Sequence, residues 1–128
     1  MITSVRPATR TVFASAARTA TVSSAAQLNS LGWRGVRIGI DVTAVTSTPS
    51  VVFSVETQDP ISSDWKTLLD SAAITATTTG PTWLTVYPGN TATANASVST
   101  HIGRKFRVTA THGDADSITY SVYAEWLN

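Results

Sequence analysis

The sequence has no cysteine and one methionine. Disulfides, thiolate metal sites and cysteine nucleophiles are therefore excluded, and stability must come from packing. Charge is scarce: Asp, Glu, Lys and Arg make up 13% of 128 residues, against about 25% in a usual globular chain. A formal net charge of +1 gives no basis for attraction to nucleic acid or to an anionic membrane. No apolar run approaches the ~20 residues of a membrane-spanning helix. Ala14-Ser15-Ala16 has the small residues of a cleavage site, but the apolar stretch of about 7–15 residues that defines a signal peptide is missing, so no export signal is read.

Threonine and serine fill the place of the missing charge, with 22 Thr and 15 Ser. Threonine is β-branched and suits a pleated surface. The length fits one domain with a core of its own. The organising stretch runs from Arg34 to Gln58. Val36, Ile38, Ile40 and Val42 alternate with Arg37, Gly39, Asp41 and Thr43, the period of two of a half-buried strand. Ser47-Thr48-Pro49-Ser50 breaks the run with turn chemistry. Val51, Phe53 and Val55 then alternate in a second run. This reads as an antiparallel pair at the centre of the domain.

Further alternating segments follow at Trp65–Leu69, Trp83–Tyr87, Arg104–Thr111 and Ser117–Leu127, and the last two read as a second hairpin. A short strand is expected at Arg18–Val22, a helical turn at Ser24–Leu28, and a surface loop over Asn90–His101. Residues 1–16 are polar and contain Pro7, which discourages regular pairing. They read as an extended arm, with Val12 and Phe13 as an apolar foothold and Arg6 and Arg10 as charged reach. The expected fold is all-β: a single-domain antiparallel β-sandwich or jelly roll of seven or eight strands over residues 17–128, with the arm over 1–16. Expected core residues are Val36, Ile38, Ile40, Val51 or Val52, Phe53, Phe106, Val108, Ile118, Tyr120 and Val122.

No catalytic constellation stands out. Neither His101 nor His112 has a carboxylate at a recognisable metal-ligand spacing. Asp114 and Asp116 match the first two ligands of a calcium loop, but no further carboxylate follows, and they read as turn residues. Asp59 and Asp64 lie on turn signals, which argues against a glycosidase pair with Asp70. No cofactor and no metal are expected. Trp83 and Trp126 alternate with other bulky residues and read as core. Trp33 and Trp65 read as interface anchors, or as stacking platforms for a sugar.

One resemblance covers most of the chain. Arg34-Gly35 stands before an apolar strand, followed by Asp41-Val42-Thr43-Ala44-Val45-Thr46 and Thr48-Pro49-Ser50-Val51. Then come Asp59-Pro60, Leu68-Leu69, Val86-Tyr87-Pro88-Gly89 and Arg104-Lys105-Phe106-Arg107-Val108. His112-Gly113-Asp114-Ala115-Asp116-Ser117-Ile118-Thr119-Tyr120-Ser121-Val122 completes the set. In this order the segments resemble a family of small structural proteins of tailed bacteriophages. The resemblance implies a virion component with no catalytic residues. The expected function is that of a capsid decoration or cement protein on the outer head shell, assembled in the bacterial cytoplasm. Its partners would be the major capsid protein or other virion proteins, and its own copies in a trimer. Alternatives are a tail or head–tail junction component and a carbohydrate-binding or adhesion module.

Overall fold

The computed structural model describes residues 9–128. Ten strands and no helix are found among them: β1 (Thr9–Arg18), β2 (Val22–Ser23), β3 (Gln27–Leu28), β4 (Gly35–Val45), β5 (Val51–Gln58), β6 (Trp65–Asp70), β7 (Thr82–Val86), β8 (Ser97–Val98), β9 (Lys105–His112) and β10 (Ile118–Leu127). Three of these, β2, β3 and β8, are two residues long, which accounts for the excess over the seven or eight expected. The segment expected to form a helical turn, Ser24–Leu28, ends in β3 instead, which pairs with β9.

The strands form two sheets. The first has the order β1-β10-β4-β7-β8 and the second β2-β9-β5-β6, with β3 also on β9. Every pairing is antiparallel except β7 with β8. Both sheets turn their apolar positions into one core. Val36, Ile38 and Ile40 of β4 and Ile118, Tyr120 and Val122 of β10 meet Val51, Phe53 and Val55 of β5 and Phe106 and Val108 of β9. All are buried, as expected from their alternation. Edge-to-face aromatic pairs join the sheets, with ring centroids 4.9 Å apart for Phe53–Tyr120 and 5.1 Å for Phe106–Trp126, the arrangement that the ring quadrupoles favour.

The two expected hairpins are not formed. β4 lies in the first sheet and β5 in the second, and β9 and β10 are divided in the same way. The partners are exchanged: β4 pairs with β10, and β5 with β9. A strand with one apolar face can meet its sequence neighbour edge to edge or face to face, and both satisfy a period of two. Here the connections arch over the core. Ser47 takes a positive φ of 62°, Thr46 N–H donates to Ser117 O at 2.9 Å and Gly113 N–H to Ser50 O at 2.8 Å. The Thr48 N–H donates to Asp116 Oδ2 at 3.2 Å, so Asp116 ties the two arches together.

The expected N-terminal arm also differs. Arg6 lies outside the described residues. Residues 9–16, assigned to the arm, form most of β1 at the edge of the first sheet. Phe13 is not the foothold of an extended arm but part of the core, edge-on to Tyr120 at 6.0 Å. Val12 packs against that core, and Arg10 stands exposed opposite Ala124. The pairing shifts on both sides of Phe13, and such bulges break the alternation that would mark a strand. Arg18 holds the irregular segment. Its guanidinium donates to the carbonyls of Ala14, Ala16 and Tyr120 at 2.8, 3.1 and 3.0 Å, with its Cζ 4.6 Å from the Tyr120 ring centroid.

Candidate functional site

Among the described residues, no three His, Asp or Glu side chains are placed to share a metal ion. Asp114 Oδ1 accepts from Asp116 N–H at 3.0 Å and Asp59 Oδ2 accepts from the N–H and Oγ of Ser62 at 2.8 and 2.7 Å. Those hydrogen bonds to Ser62 hold the Asp59 carboxyl below its ordinary range. Both aspartates thus build turns.

Two regions differ from the rest of the surface. The first is the loop end of the molecule, where the chain before β4, the β5–β6 turn and the start of β9 meet. A groove of about 410 Å³ is lined there by Leu28, Asn29, Gln58, Pro60, Arg104 and Lys105 among others. Asn29 fixes its floor: Oδ1 accepts from Trp33 N–H at 2.8 Å, and Nδ2 donates to Trp33 O and Gly103 O, both at 2.8 Å. Thr57 Oγ1 donates to Lys105 O at 3.0 Å, and Gln58 Nε2 to Ser63 O at 3.0 Å. On this braced frame Leu28 is 59% exposed, Leu31 50% and Ile61 91%. Leu28 lines the groove, and Leu31 and Ile61 directly follow its lining residues Ser30 and Pro60 in the chain.

The second region is the outer face of the first sheet. Leu84 and Val86 of β7 are fully buried, so Trp83 points outward and is 49% exposed. This corrects its expected place in the core. In the sequence Trp83 and Tyr87, with Thr85 between them, fall on one side of the alternation and Leu84 and Val86 on the other, so alternation left the inner face undecided. Trp83 lies opposite Gly39, and Gly39 opposite Tyr123. The Trp83 Nε1–H donates to Tyr123 Oη at 3.0 Å. Arg37 places its Cζ 4.1 Å from the Trp83 ring centroid and pairs with Glu125 at 2.6 Å. A related set occurs on the second sheet, where Arg107 lies 4.3 Å from the Trp65 ring centroid and 2.7 Å from Glu56.

The expected site residues are not brought together. Arg10, Val12 and Phe13 belong to β1, while Trp65 lies on β6 under Arg107. Trp33 packs partly buried against the core near the loop end, and Trp126 is buried, as expected. Leu28, Leu31 and Ile61 were missed because an aliphatic residue in a loop carries no pattern that separates anchorage from exposure.

His112 is a part-buried group at the end of β9, in contact with the core residue Tyr120. Its Nε2 meets Tyr120 Oη at 3.1 Å, and its Nδ1 is buried without a hydrogen-bond partner among the described residues. Burial pushes the imidazole below its ordinary 6.5, Asp114 opposes this and Arg18 adds to it. The unfolded chain therefore binds more protons in this range, and stability falls as the pH drops through about 6.5. The urea midpoint is expected to be lower at pH 5.5 than at pH 7.5, with the difference reduced in His112→Gln. An equal difference in that variant would assign the effect to another group.

Comparison with protein-family models, with curated proteins and with solved structures finds no match for this chain.

Proposed function

We propose that this chain is a non-enzymatic structural protein of a tailed-bacteriophage virion, a decoration protein that docks on the head shell through its loop end. The observation that carries the reading is the exposure of Leu28, Leu31 and Ile61 on the loops whose neighbouring residues line a braced groove. Aliphatic anchors on loops that are already ordered lose little entropy on docking, and Arg104 and Lys105, which outnumber Asp59 among the charged residues of the groove, suit an acidic rim on the partner. The resemblance of Arg34–Tyr123 to phage structural proteins supports a virion partner, which on this reading is the major capsid protein, with copies of this chain grouped as a trimer around a local symmetry axis. Weak contacts then sum over many copies.

The strand order supports a jelly roll as the finer description of the fold. With β2 and β3 counted as one broken strand and the short β8 set aside, eight strands remain. Their ranks in the two sheets run first-eighth-third-sixth and second-seventh-fourth-fifth, the order of two interlocked Greek keys. That architecture occurs in viral capsid proteins and in lectins, so it fits the reading without selecting it.

The test is occupancy on particles. The double variant Leu28→Asp, Ile61→Asp is expected to keep its thermal midpoint, because both side chains face solvent, and to lose at least tenfold in bound copies per virion. Undiminished occupancy, or absence of the unaltered chain from purified virions, would overturn the proposal.

A further inference from the structure

We infer that the outer face of the first sheet carries a saccharide-binding site centred on Trp83. It lies on the sheet and not at the loop end, so it stands independently of the docking reading. A half-exposed tryptophan alone is ordinary surface; this one is fixed in place. Its N–H is held by Tyr123 and its ring by Arg37. The sequence makes room for the arrangement at Gly39, where a Cβ atom would lie 2.2 Å from the Tyr123 ring. A ring held in this way loses little freedom when a ligand stacks on it.

The neighbouring rows supply the polar half of a sugar site. Strand residues two apart on one face are separated by about 7 Å. One step along β4 from Gly39 stands Arg37 with Glu125 across the ladder. One step the other way stands Asp41, whose Oδ1 accepts from Thr78 Oγ1 at 3.3 Å. The aromatic row is thus flanked on both sides by charged hydrogen-bonding groups. A pyranose has the complementary form. Its face of C–H bonds, weakly positive, stacks on the indole face opposite the one that Arg37 covers, and its rim of hydroxyls accepts hydrogen bonds from a guanidinium and donates them to carboxylates.

Other occupants fit less well. The face carries one arginine, Arg37, and two carboxylates, Glu125 and Asp41, a balance that disfavours phosphate and nucleic acid. An apolar peptide would cover the Arg37–Glu125 pair without replacing its contacts with water. The ligand class is therefore a neutral saccharide.

The chain has four tryptophans, so a ¹H–¹⁵N spectrum contains four indole N–H signals that report separately. The full chain is titrated to millimolar concentration with cellotriose, maltotriose, galactotriose and chitotriose. At least one is expected to shift the Trp83 signal saturably while those of Trp33, Trp65 and Trp126 stay in place. Arg37→Ala is expected to weaken that binding about tenfold or more. Trp83→Ala should abolish the accompanying shifts at Gly39 and Tyr123, and Trp65→Ala should leave them intact. The three remaining indole signals of Trp83→Ala report whether it is folded, and Trp83→Phe, which keeps a stacking ring, is expected to bind weakly. No response of the Trp83 signal to any of the four sugars, or shifts that persist in Trp83→Ala, would overturn the proposal.

Discussion

Truncation of Phe53 to Ala is expected to lower the free energy of unfolding by about 3–5 kcal/mol. Phe53 is fully buried on β5 and sets its ring edge-on to Tyr120 of the opposite sheet, and Phe13 makes a second edge-to-face pair with Tyr120. The hole would open between two hydrogen-bonded ladders that cannot close in on it. Phe106→Ala should cost a similar amount, since Phe106 fills the same role against Trp126. Val52→Ser, on the other face of β5, should cost about 1 kcal/mol or less, because that side chain is only half-buried. Urea unfolding at constant m-value measures all three. If Val52→Ser proved the costliest, the strand would be facing the other way and the core assignment would fail.

Gly35→Ala is expected to destabilise by about 1–3 kcal/mol although it adds a single methyl group. A Cβ atom at Gly35 would lie 2.2 Å from the Val86 carbonyl oxygen and 2.7 Å from the Tyr87 ring. The carbonyl belongs to β7, whose Val86 stands opposite Val36 in the ladder, so the methyl group can be admitted only by parting the strands at that end. Gly39→Ala meets a different obstacle, the Tyr123 side chain, which can swing away. That variant should lose the Trp83–Tyr123 hydrogen bond at a smaller cost in stability. Thermal unfolding ranks the two, and a Gly35→Ala protein as stable as the unaltered chain would contradict the packing described at β7.

The contrast between these residues shows which parts of the fold could be read in advance. Val36, Ile38, Ile40, Phe53, Phe106 and Tyr120 lie on clean alternations, so the strands and their buried faces followed from the pattern. Pairing did not. A five-residue connection such as Thr46–Ser50 joins a hairpin or an arch equally well, and the choice depends on β10 and β9, which lie far along the chain. β1 was hidden because its bulges leave Phe13 as its one buried side chain. In β7 both faces are apolar, and the inward turn of Leu84 and Val86 is set by their packing across the core. The exposed loop end left no sequence trace at all: Leu28, Leu31 and Ile61 gain meaning from the hydrogen bonds of Asn29 and Thr57 that hold their loops.

A near-atomic image of a purified tailed-phage particle that carries this chain is the most direct measurement. The expected result is density for the two-sheet domain on the outer surface of the head, in groups of three, with Leu28 and Ile61 against the shell protein and Trp83 clear of it. Density confined to the tail or the head–tail junction, or copies on the shell with the loop end facing solvent, would contradict it.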